Sequence, residues 1–171
     1  MPPWVEVGNS DCEIRKGPVV QSFIGSYVHS VDEKSRLALP KPFREIIGVK
    51  RDGREPQMVL ARGFNDCIFA FPAEAWPRFD RILREQPMND PDALSFVREM
   101  AGMMRPVSVD TVGRIVLPQL LQERAGIDKG QDVLILGMLW YFEIWNPKRY
   151  QNYIQAAEGT YEERAKKLFF G

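Results

Sequence analysis

The sequence predicts an α+β fold with a mainly β core: two duplicated halves related by a pseudo-twofold axis, closed into a small β-barrel decorated with helices. Three observations predict it. The stretch "SVDEKSRLALP", residues 30–40, returns 78 positions later as "SVDTVGRIVLP", residues 108–118. Ser30, Val31, Asp32, Arg36, Leu39 and Pro40 recur as Ser108, Val109, Asp110, Arg114, Leu117 and Pro118, and the match runs on through Glu45/Glu123 and Gly48/Gly126. Second, the order strand, turn, strand, short helix, hairpin, helix is written twice, with "FPAEAW" (71–76) echoed by "WNPKRY" (145–150). Third, segments such as "RLAL" and "RIVL" are too short to bury much apolar surface and would leave open edges. Interleaving two copies and closing the sheet removes those edges.

The elements follow in order. Residues 1–22 lack clean periodicity, contain Pro2, Pro3, Gly8, Gly17 and Pro18, and read as a flexible N-terminal extension. Phe23, Tyr27, His29 and Val31 share one face of a first strand. "DEKS" is a turn and "RLAL" a second strand. Pro40 stands where a helix begins and Gly48 where "KPFREII" stops. "QMVLARG" and "CIFAFP" form a hairpin around "FND". Two helices follow: "AEAWPRFDRILRE", with Trp76, Phe79, Ile82 and Leu83 at helical spacing, and "NDPDALSFVREMAGMM", capped by Asn89 or Asp90 with Leu94, Val97 and Ala101 on one face. The pattern then restarts with "PVSVD", "TVG", "RIVL", "PQLLQERAG", the hairpin "QDVLILG"/"WYFEIW" and the helix "NPKRYQNYIQAAE". This divides the chain into an extension (1–22), a first half (23–104), a second half (105–157) and a helical tail (158–171). Neither half is expected to fold alone.

Composition narrows the class. The 171 residues are 44% apolar and 27% charged, a globular balance. There is no run of about 18 apolar residues to span a membrane and no signal-peptide pattern, so a cytoplasmic protein is expected. Cys12 and Cys67 lack metal-ligand spacing, and no cofactor is expected. With 23 basic and 23 acidic residues the net charge is zero, which alone argues mildly against nucleic-acid binding. The local balance differs. Between His29 and Arg54, seven basic residues (Lys34, Arg36, Lys41, Arg44, Lys50, Arg51 and Arg54) face four acidic ones. A weak patch of this kind becomes strong when several copies line up.

The repeated Asp-x-x-x-Arg turns are the candidate functional elements. Asp32 and Asp110 can each head a tight turn by accepting backbone N–H bonds, and the arginine four residues on can pair with that carboxylate. That structural role and a recognition role both remain open for the aspartates. An arginine fork at an exposed turn is suited to phosphate or guanine edges. Gly113 before Arg114 suggests a left-handed backbone position, which Ser35 occupies in the first copy.

"FIGSYVHSVDEKSRLALPKPFRE", "SVDTVGRIVLP" and "FEIWNPKRY" resemble the MraZ family over roughly residues 23–155. The family is similar in fold to the AbrB/SpoVT-like swapped-hairpin DNA-binding proteins, with both halves of the barrel in one chain. The resemblance implies a bacterial transcriptional regulator that is nucleoid-associated and assembled as a ring, commonly an octamer. It would bind double-stranded DNA at short direct repeats in the promoter of the division and cell-wall gene cluster, as a repressor. It places Lys34, Ser35 and Arg36 at the DNA, with His29, Lys41, Arg44 and Arg114 as further DNA-binding candidates and Asp32, Asp110 and Gly113 as signature turn residues. Family members begin close to "F-x-G", so the N-terminal extension is a departure.

Two other classes compete. An enzyme would need the Asp32/Asp110 pair to act as acid and base, but the sequence holds no nucleophile elbow, phosphate loop, dinucleotide fingerprint or metal-ligand cluster. An antitoxin-like or structural protein-binding module would use the apolar tail at Leu168, Phe169 and Phe170.

Overall fold

The computed structural model describes residues 22–49 and 55–170. The predicted extension up to Gln21, Cys12, and the basic residues Lys50, Arg51 and Arg54 lie outside the described residues. The elements are β1 (Ser26–Ser30), β2 (Arg36–Ala38), α1 (Lys41–Ile47), β3 (Gln57–Arg62), β4 (Ile68–Pro72), α2 (Trp76–Arg84) and α3 (Pro91–Met103), followed by β5 (Arg105–Ser108), β6 (Arg114–Val116), α4 (Gln119–Ala125), β7 (Asp132–Met138), β8 (Tyr141–Trp145), α5 (Pro147–Ala156) and α6 (Tyr161–Phe169). No helix among them is long and apolar enough to cross a membrane.

Local chemistry sets the helix ends. Both α1 and α4 start after a proline in extended conformation (Pro40, Pro118) and stop at a glycine of positive φ, Gly48 at 78° and Gly126 at 63°. The Asp90 carboxylate caps α3 by accepting from the N–H groups of Asp92 and Ala93, and the Asn146 side chain caps α5 through Lys148 and Arg149. Thr160 and Glu163 form a reciprocal capping box on α6. The "FND" connection between β3 and β4 is a 3-10 turn in which Asn65 and Asp66 have positive φ.

The strands form one six-stranded antiparallel sheet, ordered β1-β7-β8-β4-β3-β5, and a separate two-stranded ribbon, β2-β6. The halves trade strands: β1 pairs with β7 of the second half, and β5 pairs with β3 of the first. The order is palindromic under the duplication, with the pseudo-twofold axis passing between β8 and β4 in the sheet and through the ribbon. In the ribbon, Leu37 faces Ile115, its own counterpart 78 positions on. In the sheet, Phe69 faces Glu143, its counterpart 74 positions on.

The expected closed barrel is not formed. The six-stranded ladder ends at β1 and β5, and β2 and β6 hydrogen-bond as strands only to each other. Between β1 and β2 there is a single bridge, Val31 to Leu37, because the tight turn at residues 32–36 lifts the chain out of the sheet. The space between sheet and ribbon is closed by packing instead. Val31, Leu37, Leu39, Phe43, Met58, Leu60, Ile68, Ile115, Leu117, Leu121, Ile135, Phe142 and Ile144 form the main core there. The other face of the sheet carries Phe69, Phe71 and Trp145 of a second cluster, which α2, α3 and α5 cover with Trp76, Phe79 and Leu83, with Met100, and with Tyr150. β4 is therefore buried on both faces.

Two helix faces differ from the pattern read in the sequence. Ile82 is exposed and Leu83 is the buried residue of α2. On α3 the buried positions are Met100 and Met103, whereas Ala101 faces solvent. Alanine at that spacing carries too little apolar surface to fix the face, and the longer, adaptable methionines do so.

Candidate nucleic-acid interface

The two Asp-x-x-x-Arg segments fold into the same turn. In the first, the Asp32 N–H donates to the Arg36 carbonyl at 2.9 Å and the Ser35 N–H donates to the Asp32 carbonyl at 2.9 Å. Asp32 Oδ1 accepts from the backbone N–H groups of Lys34 (2.8 Å) and Arg36 (2.9 Å), and Oδ2 accepts from Arg36 Nε at 2.7 Å. In the second, Asp110 Oδ1 accepts from Val112 N (3.1 Å) and Arg114 N (2.8 Å), and Oδ2 accepts from Arg114 Nε at 2.8 Å. Each aspartate is thus the head of its turn and the anchor of its arginine. The Arg36 backbone N–H, partly offset by burial and reinforced by the guanidinium, holds the Asp32 carboxyl below the ordinary aspartate value. Burial pushes Asp110 upward, but the Arg114 N–H, its guanidinium and the Val112 N–H outweigh it and hold this carboxyl low as well.

The ribbon fixes the two turns relative to each other. The Leu39 N–H donates to the Gly113 carbonyl (2.9 Å) and the Leu117 N–H to the Ser35 carbonyl (2.8 Å), so a turn sits at either end of the ribbon. Four residue steps separate them along a strand, about 13 Å at the usual rise. Leu37 and Ile115 point into the core, which leaves Arg36, Ala38, Arg114 and Val116 on the opposite face. Each arginine is held by its inner Nε, and among the described residues the outer edge of its guanidinium makes no hydrogen bond.

The other expected residues fall in three places. Lys34 is exposed at the tip of the first turn, and Val112, its counterpart, is exposed at the tip of the second. His29 lies under the ribbon, its Nδ1 2.6 Å from the Ala38 carbonyl, so it braces β2. Lys41 stands on α1 with an exposed side chain, 4.0 Å from Glu45. Arg44 is turned toward the second turn, with Nη1 donating to the Val112 carbonyl at 3.1 Å. Ser35 takes φ 59° and Gly113 φ 84°, so serine adopts the left-handed conformation without displacing the turn.

Lys129 belongs to this surface and does not stand out in the sequence. It lies on the loop before β7, which packs on the first turn through the Gly130 N–H and the Val31 carbonyl (2.7 Å). Lys129 and Lys34 line one groove of about 710 Å³ together with Ser35, Gln119, Gln122 and Glu123. The signal was available in the duplication, since Lys129 stands 78 positions after Arg51 in the basic run Lys50, Arg51 and Arg54.

Together these features define a duplicated, strand-exchanged α+β protein that presents paired arginine turns on one short ribbon. The sequence pattern of the family described as "MraZ protein, putative antitoxin-like" matches residues 22–99 and again residues 100–169. The chain belongs to the MraZ family. It is 39% identical over 146 residues to the transcriptional regulator MraZ of Syntrophomonas wolfei subsp. wolfei, covering 85% of this chain and 96% of that protein. It is 35% identical, with the same coverage, to the transcriptional regulator MraZ of Moorella thermoacetica. Among solved structures, the solution structure of PHS018 from Pyrococcus horikoshii aligns with a TM-score of 0.31 at 13% identity, over 73% of this chain and 96% of that one.

Proposed function

We propose that this chain is a transcriptional regulator that binds double-stranded DNA through the ribbon and its two turns. One observation carries the reading: Arg36 and Arg114 stand on one face of a two-stranded ribbon, each pinned at Nε, with no hydrogen bond from its outer guanidinium edge among the described residues. A two-stranded ribbon fits the major groove, about 12 Å wide, and the spacing of the turns is close to that width. The guanidinium edges then meet guanine or phosphate acceptors, and Lys34 and Lys129 add backbone contacts beside the first turn. The relatives named transcriptional regulator support the same class.

One chain offers few cationic contacts, so its affinity is weak and salt-sensitive. A ring-shaped homo-oligomer, such as an octamer, presents the ribbon repeatedly. Binding to adjacent short repeats then raises the effective concentration of each later contact. In this reading the protein acts in the cytoplasm on the nucleoid. It occupies and represses the promoter of the division and cell-wall gene cluster. The residues assigned to DNA are Lys34, Ser35 and Arg36, with Arg114, His29 and Lys41 supporting the surface.

The test is fluorescence anisotropy with the DNA upstream of the protein's own gene and a scrambled copy, over a series of salt concentrations. Preference for the native sequence with a steep salt slope is expected. Equal weak binding to both would sink the proposal. A second reading, an antitoxin-like protein-binding module, is favoured by the apolar end of α6, where Leu168, Phe169 and Phe170 are 81%, 77% and 87% exposed. It predicts that replacing these three residues leaves DNA binding intact and removes capture of a protein partner.

A further inference from the structure

We propose that Arg44 is a positioning residue: held on α1 of the first half, it clamps the turn of the second half and fixes how that turn meets DNA. This rests on the DNA-binding reading above. Arg44 reaches across the pseudo-twofold axis, and its Nη1 donates to the Val112 carbonyl at 3.1 Å. Its stem lies flat on Gly113. A Cβ added at Gly113 would overlap Arg44 Cδ outright and would lie 2.9 Å from Cγ and 3.1 Å from Nε. Gly113 is buried and has a φ of 84°, so the backbone favours glycine there and the packing of Arg44 requires it.

The other half shows the same site without the clamp. The residue 78 positions after Arg44 is Gln122. Gln122 is buried and turns back into its own half, its Nε2 donating to the Leu117 carbonyl at 2.8 Å. Ser35, the counterpart of Gly113, keeps a side chain at φ 59°. The pairs Arg44/Gly113 and Gln122/Ser35 are alternative solutions to one packing problem. Only the first couples the halves. With its stem on the glycine and its Nη1 on the Val112 carbonyl, Arg44 acts through the turn.

The test copies one half onto the other. Arg44→Gln, Gly113→Ser and the double variant are compared with the full-length protein by thermal melting and by anisotropy with the upstream and scrambled DNA. Gly113→Ser is expected to lower the melting temperature, and the double variant to regain most of that loss. If Gly113→Ser does not fold, folding of the double variant is itself the rescue. Arg44→Gln is expected to lower the preference for upstream DNA about fivefold, the worth of one net hydrogen bond, with the salt slope unchanged. A double variant no better than Gly113→Ser overturns the clamp. A salt slope lowered by about one in Arg44→Gln, with preference unchanged, makes Arg44 a phosphate contact and overturns the positioning role. If wild type shows no preference, the DNA-binding reading falls, and the positioning role with it. The melting cycle would then report only whether the clamp exists.

Discussion

The two turns share a hydrogen-bond scheme and differ in everything around it. The first reads Asp-Glu-Lys-Ser-Arg, is charged at its tip, borders the Lys34/Lys129 groove and carries serine at the strained position. The second reads Asp-Thr-Val-Gly-Arg, has Val112 at its tip, and is held by Arg44 against a glycine. The carboxylate that accepts two N–H groups and a guanidinium is what makes the turn, so it is kept in both halves. The tip is free to diverge because its side chain takes no part in that scheme. One half therefore holds cationic chemistry and the other holds rigidity.

If the halves divide the work in this way, replacing their arginines will have unequal effects. Arg36→Ala is expected to reduce the preference for upstream over scrambled DNA by about tenfold to a hundredfold, the range for losing a bidentate base contact. Arg114→Ala should cost less, since its turn lacks the flanking lysines. Anisotropy measures both, and gel filtration checks that assembly is unchanged. Equal losses would break the comparison and make the ribbon a symmetric reader.

Acid tests what the turns share. Both aspartates are held below the ordinary value of 3.8, so between the depressed and ordinary values the unfolded chain binds more protons than the folded one. The stability that they supply is present above about pH 4 and is lost as pH falls through the depressed values. Glu143 has the opposite sign. Burial among Tyr141, Trp145 and Cys67 pushes its carboxyl up from 4.5, although Trp145 Nε1 and the Tyr141 hydroxyl donate to it at 2.7 and 3.2 Å. Its contribution is present at low pH and is lost as pH rises through the raised value. Chemical denaturation across pH should therefore show Asp110→Asn flattening the acid limb and Glu143→Gln flattening the limb above it. Asp110→Ala should cost about 1 to 2 kcal/mol near neutrality, from the lost charged hydrogen bonds.

Much of this was legible in the residues. The repeat revealed the two turns and the order of elements along the chain, and the ends of several helices were readable because proline, glycine and capping residues act locally. Strand exchange was foreseeable from edges too short to stand alone. Failure to close a barrel was not, since it depends on how sharply residues 32–36 lift the chain away from β1. Arg44 shows the same limit at the site. Its place in a basic run suggested DNA, and only the three-dimensional proximity of α1 to a turn 68 residues away shows what it touches. The contrast of Ser35 with Gly113 was visible as a difference, but its cause lies at Arg44 and Gln122.

The lysine at the first tip can be moved. Lys34→Val should lower the salt slope of DNA binding by about one, and Val112→Lys should raise it by about the same amount, each with little change in sequence preference. A slope raised by Val112→Lys would place the second tip near phosphate. No change would mean that only the first turn reaches the backbone.

The smallest effect expected is at Ser35, and it isolates the backbone from the chemistry. Serine at φ 59° pays a left-handed penalty that glycine would not. Glycine in turn loses more freedom on folding, which offsets part of the gain. Ser35→Gly should therefore stabilise the protein by no more than about 1 kcal/mol, a shift of a few degrees in melting temperature. DNA affinity is the sharper readout. Asp32 already fixes the turn through Lys34 N, Arg36 N and Arg36 Nε, so relieving strain at Ser35 should leave Arg36 where it is and the affinity unchanged. A change in affinity without a change in melting temperature would show that the serine hydroxyl itself touches DNA, giving the first turn a contact that Gly113 cannot supply in the second.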